Sequence, residues 1–141
     1  MKKRFLLDTN ILAFIITGSK NEISHEVLQI IDNYNNVLET STIAIKELLH
    51  LFRKGKIQLK KGEKLSEIPG LIENLFGIKI APFTVKHTML LAKLETSLEH
   101  NDPDDFAIIS HAISDRYILI SSDRKFKDYK NQNLEFIFNK R

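Results

Sequence analysis

The chain has no cysteine, which excludes disulfides, zinc–thiolate sites and thiol catalysis. Glycine is scarce: there are five among 141 residues, none in a GxxxxGK or GxGxxG setting. Backbone loops that cradle the phosphates of ATP, GTP or a dinucleotide are therefore missing. No GxSxG turn offers a serine nucleophile, and the five histidines form no HExxH pair for zinc. No apolar run approaches the roughly 20 residues of a membrane span. The start, Met1-Lys2-Lys3-Arg4, is basic like a signal peptide, but the apolar run behind it is cut by Asp8, Thr9 and Asn10. No export signal is read, and a cytoplasmic protein away from membranes is expected. Repeats, low-complexity tracts and linkers are also lacking.

What is present describes one globular domain over residues 1–141, with 43% hydrophobic and 28% charged residues. The net charge of +3 is unevenly spread. Arg53, Lys54, Lys56, Lys60, Lys61 and Lys64 form one basic patch, and Arg124, Lys125, Lys127, Lys130, Lys140 and Arg141 enrich the C-terminal end. A solvated face is the ordinary reading of such runs. Beside an acidic cluster they also suit a polyanion.

The chain alternates strand and helix patterns. Phe5-Leu6-Leu7 and Ile118-Leu119-Ile120 are continuously apolar, as in parallel strands covered on both faces. Further strands are read at Val37 to Thr40, Ile78 to Ile80 and Phe136 to Phe138. Helices are expected from Asn10 to Ile16, closed by Gly18, and from a Ser24 cap to Tyr34. Another runs from Ser41 or Thr42 to Arg53, with Ile45, Leu48, Leu49 and Phe52 as its buried stripe. The stretch from Glu63 to Phe76 reads as two pieces broken at Pro69-Gly70. Thr84 caps a helix with a Leu91, Leu94 and Leu98 stripe, and Asp102-Pro103 starts one that buries Phe106, Ile109 and Ile113. The implied fold is α/β, a three-layer α/β/α sandwich around a central parallel sheet of four to five strands.

Five acids fall where this chain leaves a strand or enters a helix: Asp8, Asp102, Asp104, Asp105 and Asp123. Ligands of parallel sheets bind beyond the carboxyl ends of the strands, where Asp8 and Asp123 both lie. Each acid has an ordinary explanation. Asp8 and Asp102 are good N-caps, and Asp105 complements a helix dipole. A cluster of them repels itself unless a hard divalent cation is bound, which points to Mg²⁺-dependent phosphodiester chemistry. His87 and His111 fall in predicted helices, where a surface or half-buried place is the ordinary one. Phe83, Phe126 and Tyr129 are candidates for stacking on bases.

Leu7-Asp8-Thr9-Asn10 resembles the opening motif of PIN-domain nucleases. Ile45-Lys46-Glu47-Leu48 is similar to their second motif. His100-Asn101-Asp102-Pro103-Asp104-Asp105, followed by Ile108-Ile109-Ser110-His111-Ala112, is similar to the third motif of the VapC-type toxins. Ser121-Ser122-Asp123 with Lys125-Phe126 resembles the fourth. The resemblance implies a PIN-like fold and a Mg²⁺- or Mn²⁺-dependent endoribonuclease, the toxin of a toxin–antitoxin pair. It also implies a small antitoxin partner, an RNA substrate and a homodimer. By motif position the catalytic and metal-binding carboxylates would be Asp8, Glu47, Asp105 and Asp123. Thr9, Asn10, Asp102 and Ser121 would support them, and either Asp105 or Glu47 would take the proton from water.

Spacing alone puts Glu47 opposite its helix's apolar stripe, as a surface residue; only the motif promotes it. Asp104 and Phe106 replace the Phe and Arg that commonly flank the third motif's catalytic Asp. This leaves Asp104 as a rival to Asp105, although the spacing to Asp102-Pro103 favours Asp105. His100 is read as near the metal or phosphate, or as structural. Two other functions compete: a catalytically inactive PIN-like RNA-binding or interaction module, and a receiver-like phosphoryl-transfer domain.

Overall fold

The computed structural model describes residues 2–141. Five strands form one sheet: β1 (Arg4–Leu7), β2 (Val37–Ser41), β3 (Lys79–Ala81), β4 (Ile118–Ser121) and β5 (Glu135–Phe138). All are parallel, in the order β3-β2-β1-β4-β5. The helices are α1 (Thr9–Thr17), α2 (His25–Asp32), α3 (Thr42–Arg53), α4 (Ile68–Asn74), α5 (Val85–Lys93) and α6 (Pro103–Ser114). Parallel strands need crossovers of one hand. The chain therefore steps from β1 outward to β3 on one face, then crosses back through α5 and α6 on the other. This is the expected α/β/α sandwich. Its order separates it from receiver domains, which run 2-1-3-4-5.

The sheet's centre follows from the two apolar runs. Phe5, Leu6 and Leu7 of β1 and Leu119 and Ile120 of β4 are buried, because helices cover both faces. The β1–β4 register pairs Leu7 with Ile120, so Asp8 leaves its strand beside Ser121. Most expected caps hold. Ser24 Oγ accepts the Val27 N–H, and Ser41 Oγ accepts the Ile43 N–H. Gly18 closes α1 at φ 71°, a left-handed conformation that glycine adopts freely.

Six expectations are corrected. The helix from Ser24 stops at Asp32, and Tyr34 is fully exposed. The stretch from Glu63 to Phe76 is in two pieces as expected, but the break falls between Glu67 and Ile68 rather than at Pro69-Gly70. Pro69 sits in the first turn of α4, where a missing N–H costs nothing, after a 3-10 turn at Leu65–Glu67. The helix after Thr84 ends at Lys93, so the Leu91, Leu94 and Leu98 stripe does not form; Leu98 is fully exposed. The only fully buried side chain of that helix is His87, and His111 of α6 is buried too, against the surface or half-buried reading. In α6 Ile108, Ile109 and Ala112 carry the core contact, and Phe106 and Ile113 are half-buried beside it. Phe126 and Tyr129 are also core residues, so neither is available to stack on bases.

Asn139 had no sequence signal. It is fully buried just past β5. Its Nδ2 donates to the Glu22 carbonyl and to Ser122 Oγ, both at 2.8 Å, and its Oδ1 accepts the Ser24 N–H at 2.7 Å. One amide thus ties the start of α2 to the loop that carries Asp123. Asn139→Ala strands a buried donor and a buried acceptor, each worth about 1–3 kcal/mol. The expected loss is roughly 2–4 kcal/mol, read as a lower urea midpoint with an unchanged m-value; an unchanged midpoint would show that the amide is replaceable.

Candidate metal centre at the carboxyl edge of the sheet

Asp8, Glu47 and Asp105 meet beyond the ends of β1 and β2, each offering a carboxylate oxygen within 4.8 Å of the other two. They come from three elements: the β1–α1 turn, the second turn of α3 and the first turn of α6. Asp8 is buried. Its Oδ1 accepts the Thr9 N–H at 2.8 Å, and its Oδ2 accepts the Ser121 hydroxyl at 2.6 Å and the Asn10 Nδ2 at 3.4 Å. Capping α1 is therefore only half of its role. Asn10 also donates to Ser121 Oγ at 3.2 Å and accepts the Ser122 N–H at 3.2 Å. Thr9 donates through Oγ1 to Glu47 Oε1 at 2.9 Å. Thr9, Asn10 and Ser121 thus all reach the carboxylates.

The three acids at the head of α6 separate cleanly. Asp102 is the cap, its Oδ1 accepting the N–H groups of Asp104 and Asp105 at 3.0 and 3.3 Å. Asp104 turns outward and accepts from Lys46 Nζ at 2.8 Å. Asp105 turns inward to the cluster. Asp123 stands apart from the close group. Its Oδ1 accepts the Lys125 N–H at 2.9 Å, capping the 3-10 helix Arg124–Gln132, and it reaches Asp8 and Asp105 through its charge. Glu47 is half-buried rather than on open surface.

His100 is buried behind the cluster, among the rings of Phe106, Phe126 and Tyr129. Its Nε2 lies 2.9 Å from Asp105 Oδ2 and its Nδ1 lies 2.9 Å from the Tyr129 hydroxyl. Burial lowers the His100 imidazole and raises Asp105. Both shifts disfavour an ion pair across this contact. Tyr129 was missed as part of this frame. A Tyr between Asp128 and Lys130 in a basic segment gives no sign that its hydroxyl reaches a loop 29 residues away.

The electrostatics follow from crowding and burial. Burial first, then the like charge of neighbouring carboxylates, pushes Asp105 up to about 8 and Glu47 up to about 7. Asp8 rises to about 6, burial outweighing the hydrogen bonds from Ser121 and Thr9 that pull it down. Protons occupy part of this pocket near neutral pH. Three carboxylate oxygens in a partly desolvated pocket fit a hard divalent cation such as Mg²⁺ or Mn²⁺, which relieves the same repulsion.

A model of the PIN domain family matches residues 5–132. The chain belongs to that family. No curated protein matches it. Among solved PIN-like structures it is similar to VapBC2 from Rickettsia felis bound to a DNA fragment from its promoter. That match has 25% identity, covers 96% of this chain and 98% of the other, and has a TM-score of 0.71. It is also similar to VapBC-1 from nontypeable Haemophilus influenzae, with 20% identity, 96% and 97% coverage and a TM-score of 0.66. A third is DNA-bound VapBC from Salmonella typhimurium, with 19% identity, 98% coverage of each chain and a TM-score of 0.64. The PIN match spans all four motif segments. No described helix is long and apolar enough to cross a membrane.

Asp105 provides a test of this electrostatics. Between its ordinary value of 3.8 and about 8, the folded chain keeps a proton that the unfolded chain has released. Its contribution to stability therefore falls as pH rises through that window. Asp105→Asn cannot ionise. Free of divalent cations, the variant is expected to melt at least about 4 °C above the parent at pH 8, a shift of order 1 kcal/mol for this size, and equally with it near pH 4. Equal melting at pH 8 would show that Asp105 is not held protonated by its surroundings.

Proposed function

We propose that this PIN-family chain is a metal-dependent endoribonuclease, the toxin component of a toxin–antitoxin pair. The observation that carries the enzymatic reading is the mutual approach of Asp8, Glu47 and Asp105 within 4.8 Å. A module that only binds RNA or a partner gains nothing from buried carboxylates that repel one another. The likeness to VapBC assemblies supports a small antitoxin as cognate partner, and the family resemblance supports a homodimer. The exposed basic residues at Arg53, Lys54 and Lys56 and at Arg124, Lys125 and Lys127 support RNA as the polyanion.

Asp8, Glu47 and Asp105 would hold Mg²⁺ or Mn²⁺, with Asp123 adding negative charge from one side. When bound, the cation lowers the pKa of water and offsets charge that builds on the phosphate oxygens. The chain's own groups do the rest. Thr9 and Ser121 donate to Glu47 and Asp8 and so fix which carboxylate oxygens face the pocket. His100, backed by Tyr129, does the same for Asp105. Glu47 or Asp105 would accept the proton of the attacking water: each has one oxygen held by the protein, Glu47 Oε1 by Thr9 and Asp105 Oδ2 by His100, and one oxygen with no protein hydrogen bond. Asp102 holds the backbone of Asp104 and Asp105 in register, and Asp104 serves the surface pair with Lys46.

Cleavage of a labelled RNA in Mn²⁺ tests this assignment. Asp8→Asn, Glu47→Gln and Asp105→Asn should each lower the rate by roughly 10³-fold, several kcal/mol of lost transition-state stabilisation. Ser121→Ala should cost about 10–100-fold, as a residue that only orients a ligand. Asp104→Asn should stay within about twofold, since exposed pairs carry little energy. Full activity in a folded Asp8→Asn or Asp105→Asn protein would refute the site. RNA binding without any metal-dependent cleavage by the parent would favour the inactive module.

A further inference from the structure

A second polar cluster lies at the other end of α6, away from the acidic pocket. His111 and Asp115 are one helical turn apart at the C-terminus of α6, and His87 faces them from the first turn of α5. Asp115 Oδ2 is 2.8 Å from His87 Nε2 and 3.5 Å from His111 Nε2. One ligand atom from each residue lies within 4.8 Å of the other two. The imidazole rings are 4.0 Å apart and tilted by 33°, so both present Nε2 to the same carboxylate oxygen.

His111 is fully buried, and its Nε2 is the one buried side-chain nitrogen or oxygen among the described residues with no hydrogen-bond partner. Its Nδ1 shares a hydrogen bond with Ser41 Oγ at 2.9 Å. If Nδ1 donates, the Nε2 lone pair faces a carboxylate oxygen, a repulsive contact. If Nδ1 accepts, a buried Nε2–H stops short of a bond. Both tautomers leave Nε2 unsatisfied, and native interiors rarely tolerate that without an ion or water. A cation between Nε2 and Asp115 satisfies it.

We infer that His87, His111 and Asp115 form a second metal site, for a borderline transition ion of the Zn²⁺ type, that clamps α5 to α6. Two imidazole nitrogens and one carboxylate oxygen are a donor set zinc accepts in tetrahedral coordination, with a fourth position for water. It differs in kind from the all-oxygen set at the acidic pocket. A cleft of about 420 Å³ lined by Arg4, Glu39, Lys79, Thr84 and Lys86 opens onto His87 and Asp115 and gives access. Burial, then the neighbouring His87, pushes the His111 imidazole down to about 4, so the ring is neutral and its lone pair is available.

Two contacts oppose loading, and both can yield. Lys86 Nζ lies 2.6 Å from Asp115 Oδ1, which leaves Oδ2 as the ligand atom. The Thr84 N–H donates to His87 Nδ1 at 2.8 Å, which puts the ring proton on Nε2. Coordination moves that proton to Nδ1, where Thr84 Oγ1 at 3.1 Å accepts it.

The test removes the acidic pocket first, so that it does not depend on the nuclease reading. In an Asp8→Asn/Asp105→Asn chain stripped with EDTA, calorimetric titration should find one Zn²⁺ equivalent. The melting temperature should rise as Zn²⁺ exceeds its Kd, by several degrees at about 100 Kd. Co²⁺ in its place should give the visible absorption of a four-coordinate site. His111→Gln or Asp115→Asn in the same background should abolish all three signals. If either fails to fold, His87→Gln, next to the cleft, serves instead. No Zn²⁺ binding in the double variant would overturn the proposal, as would binding that survives loss of these ligands.

Discussion

Asp8 is a carboxylate with only 4% of its surface exposed, placed at the end of the central strand. Burying a charged group is costly unless it is bonded, and the surrounding chain is arranged to bear that cost. Thr9 supplies an N–H, Asn10 an amide and Ser121 a hydroxyl. Ser121 reaches Asp8 only because β4 lies directly beside β1 in a register that ends both strands together. The crossover that brings β4 to the centre of the sheet is therefore a condition for the pocket. Even so, burial wins over the hydrogen bonds and Asp8 stays raised, to about 6. Glu47 and Asp105 inherit the same imbalance more strongly. The fold concentrates unfavourable electrostatics at one edge, and a cation is the chemical species that relieves it.

Helix α6 organises polar groups at both ends. At its head, successive residues lie about 100° apart, so three nearby acids reach three different environments. Asp102 folds back on the amides, Asp104 meets Lys46 at the surface, and Asp105 enters the pocket. The ring of His100 locks Asp105 from behind, and Tyr129 locks His100. At its tail, His111 and Asp115 face His87 of the adjoining helix. Between the ends, Ile108, Ile109 and Ala112 are buried. A rigid apolar middle thus fixes the distance between the two polar clusters.

Much of the fold was readable because its signals are local. Continuous apolar runs gave β1 and β4. Ser24, Ser41 and Asp102 announced helix starts, and Gly18 announced a stop. Readings failed where a local pattern met a tertiary alternative. Pro69 looked like a breaker but occupies a first turn, where no N–H is needed. Leu94 and Leu98 continued a helical period, yet α5 ends at Lys93; Leu94 still packs against the core, whereas Leu98 is fully exposed. Glu47 lay opposite its helix's apolar stripe, and spacing alone gave it to solvent. Thr9 and the acids of two other elements close over that side instead.

By itself, the sequence determined the alternation of elements, the parallel sheet with two covered strands, and the placement of acids at strand ends and helix starts. Those follow from hydrophobic period and backbone capping, which act within a few residues. Tertiary structure decided which acids meet. It put Glu47 beside Asp8 across 39 positions of chain, left Asp123 outside the close group and sent Asp104 to Lys46. It also buried His87, His111 and Asn139, three residues with no local pattern to mark them. Their partners lie in other elements, and side-chain hydrogen bonding between elements depends on packing that no local period encodes.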